Sequence, residues 1–211
     1  MIHELRTYTL IPGTQASYIP LFEDAWKRIR GDRHGKLEGY WSTDSGTLNQ
    51  VVHLWSFADL VERQRLRVEL GKNQAWTGEY LAKSQPFLLS QENKILSAVL
   101  PLAPPHEQGN IYELRTYRTQ PGKTREWLDR FVAVMPVREK YSKRVGLWQT
   151  EIAQLNEVAH MWVYRDVADR EAVRAKFRQD PEMQKFLREA TPLLMHMQSI
   201  ILSPASFSPM K

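Results

Sequence analysis

The stretch Ile2-His3-Glu4-Leu5-Arg6-Thr7-Tyr8 returns as Ile111-Tyr112-Glu113-Leu114-Arg115-Thr116-Tyr117, with one difference in seven positions. The match continues outward in order. Pro12-Gly13 returns as Pro121-Gly122, and Gly39-Tyr40-Trp41 as Gly146-Leu147-Trp148. Leu48-Asn49-Gln50-Val51-Val52-His53-Leu54-Trp55 returns as Leu155-Asn156-Glu157-Val158-Ala159-His160-Met161-Trp162, and Pro86-Phe87-Leu88-Leu89 as Pro192-Leu193-Leu194-Met195. The offset drifts from 109 to 106, so loops differ while order is kept. The chain is an internal duplication.

Each copy carries the same succession of elements. Ile2–Leu10 alternates and is β-rich, and Pro12-Gly13 breaks it. Tyr18, Leu21, Phe22, Ala25, Trp26 and Ile29 then follow helical spacing, with Thr14 as N-cap and Pro20 in the early turns. A second strand surrounds Tyr40–Thr43 and a third covers Gln50–Phe57, joined through Asp44-Ser45-Gly46. Asn49 and Asn156 read as turn residues. Asp59 caps a helix to about Leu70, and Asp166 one reaching Phe177. Asp180-Pro181-Glu182 starts a further short helix. Last strands run near Glu92–Val99 and Gln198–Leu202. The order β-α-β-β-α-(α)-β is that of the split βαβ, ferredoxin-like unit. The fold class expected is α+β: two tandem ferredoxin-like repeats packed sheet to sheet. The first repeat covers 1–98, a Pro/Gly linker 99–110, the second repeat 111–203, and a Ser/Pro-rich tail 204–211 is expected to lie extended on the surface.

Composition narrows the function classes. The chain has 211 residues, 42% hydrophobic and 25% charged, with seven Trp, eight Tyr, seven Phe and no Cys. Thiolate nucleophiles, thiolate metal sites and disulfides are excluded. No apolar run reaches the roughly 18 residues of a membrane span. The opening residues lack the layout of a signal peptide, so a cytoplasmic protein is expected. The net charge is +5. Arg63, Arg65 and Arg67, with Arg170, Arg174, Lys176 and Arg178, alternate with acidic residues. They read as solvated helix faces and not as a nucleic-acid footprint. No phosphate-loop, dinucleotide or serine-hydrolase motif occurs, and no stretch has metal-ligand spacing.

Side chains on a strand alternate between faces. Glu4, Arg6 and Tyr8 therefore share a face, as do Glu113, Arg115 and Tyr117. His53 shares one with Trp55 and Phe57, and His160 one with Trp162. The helices are expected on the purely apolar face, leaving the Glu-Arg-Tyr-His set, with Trp41 and Trp148, on the other. Packing one copy against the other would cover that aromatic face. The candidate catalytic residues are His53, His160, Tyr8 and Tyr117, with histidine as acid–base. The candidate substrate-binding residues are Glu4, Arg6, Glu113, Arg115, Trp41, Trp148, Trp55 and Trp162, with arginine anchoring an acidic group. The structural alternative is that each Glu and Arg simply pair and the histidines are satisfied core residues.

The duplicated I-x-E-L-R-T-Y opening with its P-G, the Leu-Asn-(Gln/Glu)-Val-x-His-(Leu/Met)-Trp block and the closing Pro-(Phe/Leu)-Leu segment resemble the NIPSNAP family over essentially the whole chain. The resemblance implies a dimeric α+β barrel. It brings no established catalytic residue set. Animal members are associated with mitochondria and vesicle-related interactions, and this chain is similar to a stand-alone, bacterial-type member. The wider superfamily includes cofactor-independent monooxygenases, haem-degrading enzymes and isomerases. Three functions follow as expectations. One is binding or transformation of a small aromatic or acidic molecule inside the barrel, without cofactor. The second is a non-enzymatic ligand-binding or interaction module. The third is haem or tetrapyrrole handling. Assembly as a homo-oligomer, a dimer, is expected.

Overall fold

The computed structural model describes residues 1–106 and 110–211. It divides into two units. Unit 1 comprises Met1–Ser97 with Ser203–Lys211, and unit 2 comprises Ala98–Leu202.

In unit 1, β1 (Ile2–Leu10) leads to α1 (Gln15–Ala25), which widens into a π-helical stretch, Trp26–Arg30. Strands β2 (Lys36–Thr43) and β3 (Gln50–Phe57) follow, then α2 (Leu60–Gly71). A second π-helical stretch, Ala75–Leu81, runs into the short α3 (Ala82–Ser84), and β4 (Leu88–Leu100) completes the set. The sheet is antiparallel, ordered β4-β1-β3-β2, with Arg6 opposite His53 and Tyr40 opposite His53 on the other side.

Unit 2 repeats the order. It contains β5 (Ile111–Thr119), α4 (Thr124–Arg138), β6 (Lys143–Ile152), β7 (Glu157–Tyr164), α5 (Val167–Gln179), α6 (Pro181–Ala190) and β8 (Leu194–Pro204). Its antiparallel sheet is ordered β8-β5-β7-β6, with Arg115 and Leu147 both opposite His160. Among the described residues no helix is long and apolar enough to cross a membrane.

Local chemistry accounts for these boundaries. The Asp59 carboxylate accepts from Glu62 N, that of Asp166 from Asp169 N, and that of Asp180 from Glu182 N and Met183 N. Each satisfies donors that a helix start leaves open. Thr14 stands at its expected cap position, but its hydroxyl donates back to Ile11 O at 2.7 Å and caps no N–H. Asn49 and Asn156 both adopt φ of 57°, a left-handed turn conformation that asparagine tolerates. Their carbonyls receive Leu10 N and Thr119 N.

Gly39 and Gly146 sit where the register shifts by one residue, and a Cβ at either would enter the indole of Trp41 or Trp148 two positions on. The repeated Gly-x-Trp is thus a packing motif: the bulge lets the ring fold over its own strand.

Two expectations are corrected. The helices cover the mixed face of each sheet, not the purely aliphatic one. Tyr18, Phe22 and Ala25 of α1 pack in one cluster with Tyr40, Val51, Trp55 and Phe57. The cause is chemical complementarity. The stripe of α1 is aromatic, and α2 carries arginines that meet the buried glutamate. The opposite face, with Leu5, Trp41, Val52 and Leu54, is buried as well.

The tail does not lie on the surface. Phe207 is 8% exposed and Ser208 fully buried. Phe207 stands 5.0 Å from the Tyr40 ring and 5.9 Å from Phe22. Ala205 N donates to Tyr40 O, and Tyr40 N donates to Ser208 Oγ at 2.9 Å. The tail extends the pairing of β2, whose amide and carbonyl would otherwise go unmet. Of the expected linker, residues 107–109 lie outside the described residues. Its start belongs to β4, and Pro101 O and Ala103 N are bound by Arg144 and Val145 of unit 2.

Candidate functional site

Each unit holds its own cavity between sheet and helices. That of unit 1 measures about 460 Å³ and that of unit 2 about 330 Å³. Both fall in the size range of small-molecule sites.

At the back of each lies a glutamate with no exposure at all. Glu4 receives Arg6 at 3.1 Å, Arg63 closer still, Asn93 at 2.8 Å, and Arg67 at 3.7 Å. Glu113 receives Arg115 and Arg170 at 2.6 Å, Ser199 Oγ at 2.6 Å, and Arg174 at 3.5 Å. Burial alone would raise each carboxyl. The guanidiniums outweigh it, holding Glu4 below its ordinary value and Glu113 at about 2. Arg63, Arg170 and Arg174 therefore turn inward, a departure from the solvated helix faces expected, while Arg67 reaches the carboxylate from an exposed position. One carboxylate faces three guanidiniums in each unit, so positive charge is left over.

Arg6 continues to the Tyr8 hydroxyl at 2.9 Å, and Arg115 to that of Tyr117. Each tyrosine ring meets its histidine edge-on, Tyr8 with His53 and Tyr117 with His160, both at 4.8 Å.

The histidines are held identically. The Trp55 indole N–H donates to His53 Nδ1 at 2.6 Å, and that of Trp162 to His160 Nδ1 at 2.6 Å. An indole only donates, so Nδ1 is the acceptor and a neutral ring carries its proton on Nε2. Burial, then the cations Arg6 and Arg30, push His53 well below its ordinary value. Burial and Arg115 do the same to His160, against a smaller opposing pull from Glu113. Both rings line their cavities, and neither Nε2 has a hydrogen-bond partner. The expected acid–base role needs a lone pair that this tautomer does not leave. The group offered is a neutral N–H donor.

Sequence reasoning passed over a further pair. Arg30, 3% exposed, ends the first helix and lies over the Trp55 ring at 3.3 Å. Among the described residues its guanidinium makes one hydrogen bond, donated to His34 O at 3.1 Å. Arg138 ends α4, over Trp162 at 4.1 Å and Phe177 at 4.3 Å, and donates to the hydroxyls of Ser142 and Tyr164. Among the described residues no carboxylate pairs with either. Burial, then Arg6, push Arg30 down to about 9, which leaves it charged at neutral pH. Both line their cavities. The signal was available: Arg30 and Arg138 recur at an offset of 108, inside the drift of the repeat.

Glu4, Arg6, Tyr8, His53 and Trp55 are thus brought together, as are Glu113, Arg115, Tyr117, His160 and Trp162. Trp41 and Trp148 are not. Trp41 pairs with Val52 and Trp148 with Ala159, one position off the histidine, so their rings lie on the other face. Among the described residues no group of three His, Asp or Glu side chains could hold a metal ion.

The NIPSNAP sequence profile matches residues 3–101 and again 112–209. The chain belongs to the NIPSNAP family. Protein NipSnap homolog 3A of Homo sapiens is 32% identical over 217 residues, covering 100% of this chain and 86% of the relative. The fold of this NIPSNAP chain is similar to that of a crystallised Lactobacillus acidophilus protein provisionally named a monooxygenase. The TM-score is 0.70 at 11% identity, over 96% of this chain and 93% of that one. It is also similar to an anthrone oxidase-like protein, with a TM-score of 0.68 at 10% identity over 100% and 94% of the two chains. At such identities the likeness concerns the fold alone. The fold is mixed α+β with antiparallel sheet.

Proposed function

We propose that this NIPSNAP chain is a tandem pair of ferredoxin-like repeats of the dimeric α+β barrel kind, and that each repeat binds a small organic anion in its helix-side cavity. One observation carries the reading. Among the described residues, Arg30 and Arg138 are buried cations with no carboxylate partner, set in aromatic walls of the cavity that also holds a histidine N–H without an acceptor. A buried charge is costly unless something compensates it. A carboxylate bound through Arg30 and His53 Nε2–H, or through Arg138 and His160 Nε2–H, would satisfy both groups at once. Aromatic side chains around it favour a ligand with an apolar body.

The donor geometry bears on chemistry. For a bound carbonyl compound, Nε2–H would polarise the oxygen as a neutral electrophile, in the way a histidine of lowered basicity can. Abstraction of a substrate proton by histidine, as an oxygenase of this fold class would need, is not supported by a ring whose Nδ1 is engaged. The haem alternative loses support for the same reason, since neither nitrogen presents a lone pair to iron. A packed interaction module is disfavoured by two cavities of several hundred Å³.

Benzoate titrated into the full chain by calorimetry tests the reading. Two sites per chain are expected, and Arg30→Met and Arg138→Met should each abolish one. These variants should fold, because an apolar residue commonly replaces a buried charge without loss of stability. Absence of binding, or unchanged stoichiometry in both variants, would refute the proposal.

A further inference from the structure

The two cavities share a floor and differ in their walls. The floor is kept residue for residue: Arg6 and Arg115, Arg30 and Arg138, His53 and His160. The walls change in one direction. Tyr18, the fourth residue of α1, corresponds to Trp127, the fourth of α4. Gln91 and Met197 occupy one register position, opposite Tyr8 and Tyr117. Tyr80 corresponds to Phe186, since each ring meets the same pair on the preceding helix, Tyr18 and Phe22 in unit 1 and Trp127 and Phe131 in unit 2, and Ser84 corresponds to Ala190 through the offset of 106 that the repeat carries there.

At each of these four positions unit 1 presents a hydroxyl or amide, where unit 2 presents hydrocarbon, a thioether or an indole. In unit 1 the polar groups are linked. The Tyr18 and Tyr80 hydroxyls are 3.3 Å apart, and Ser84 lies one helical turn beyond Tyr80. Each hydroxyl there retains capacity for a further bond. In unit 2 the wall formed by Phe131, Phe186 and Leu187 is hydrocarbon, the Met197 thioether is at most a weak acceptor, and the Trp127 indole N–H, without a partner among the described residues, can donate once and accept nothing.

Resting on the anion-binding reading above, we infer that the duplicated sites have separate specificities: unit 1 takes a hydroxylated aromatic acid and unit 2 an acid with a purely hydrocarbon body. A hydrocarbon chain in unit 1 strips water from polar walls and returns nothing. A hydroxylated ring in unit 2 gives up its own water for apolar contact. Sites built to hydrogen-bond a hydroxyl reject analogues lacking it far more strongly than apolar pockets reject an added hydroxyl. Unit 1 is therefore the more selective of the two.

The test uses 3,4-dihydroxybenzoate and octanoate on the full chain, with benzoate as the probe that both floors should accept. One equivalent of each selective probe is expected, bound without mutual competition. Phe186→Tyr combined with Met197→Gln should weaken octanoate at least tenfold. Tyr80→Phe combined with Gln91→Met should weaken 3,4-dihydroxybenzoate at least tenfold. Melting curves confirm folding, and Ala190→Ser alone, a smaller change in the same wall, should act in the same direction on octanoate. Competition between the two selective probes, or equal affinity of either for both cavities, would overturn the inference. If benzoate still bound twice per chain in that case, the anion site would stand and only the divergence would fall. If benzoate did not bind, both would fall.

Discussion

His53 and His160 are neutral because three influences agree: burial, nearby guanidiniums, and an indole N–H on Nδ1. The consequence for stability has a definite sign. The unfolded chain takes up a proton near 6.5, whereas the folded rings resist it to much lower pH. Folding is fully supported above about 6.5 and weakens as pH falls below it. A second decline follows from Glu113, whose folded value of about 2 lies below the ordinary 4.5. Its contribution is present above 4.5 and lost between there and 2. Urea midpoints measured from pH 7 to 5 should fall in the wild type and fall distinctly less in the double variant His53→Asn, His160→Asn, where the buried His3, also held below its ordinary value by burial, remains. A flat wild-type profile would contradict the neutral, buried rings. Imidazole nitrogen chemical shifts give an independent check, since they report Nε2–H directly. Which residues meet was partly legible in sequence, because Glu, Arg, Tyr and His are written twice at fixed spacing. Arg30 and Arg138 were equally repeated, but they stand alone at helix ends with no neighbouring motif to draw notice.

At the level of elements, strand and helix order followed from periodicity and caps, and Asp59, Asp166 and Asp180 perform the capping their positions imply. The face taken by the helices did not follow. Leu5, Val52 and Leu54 make one face of unit 1 wholly apolar, and Val51, Trp55 and Phe57 make the other apolar enough to be buried too. Hydrophobicity could not choose between them. The choice lies in pairs distant in sequence: Arg63 with Glu4, Arg170 with Glu113, and the rings of α1 with Tyr40 and His53. The Gly-x-Trp bulges make a sharper prediction. Gly146→Ala would drive a methyl into the Trp148 ring and should cost about 1–3 kcal/mol, as overpacking of a core does. Equilibrium unfolding in urea measures this. The double variant Gly146→Ala, Trp148→Leu, which makes room, should recover much of the loss. A Gly146→Ala chain as stable as the wild type would refute the packing role.

Over the whole molecule, the two cavities keep the same arginine and histidine floor and differ in their walls. The tail adds an asymmetry that sequence did not reveal. Its Ser/Pro composition reads as surface chain, and only the single aromatic Phe207 betrays a buried end. Phe207→Ala should cost unit 1 about 3 kcal/mol, as removal of a buried ring commonly does. Amide exchange read by mass spectrometry should show β2 and α1 opening more often, with β5 to β7 unaltered. Equal loosening of both units, or none, would speak against a tail that serves unit 1. The hydrogen bond from Tyr40 N to Ser208 Oγ joins residues 168 positions apart. On the ribosome that separation becomes a delay of roughly ten to thirty seconds, at ordinary rates of synthesis. Throughout it the nascent first repeat lacks its final strap and leaves Phe22, Trp26 and Tyr40 without the Phe207 ring that covers them, while the second repeat has yet to emerge in full. The repeat made first is thus the one finished last, and it is the natural client of any chaperone that attends this chain.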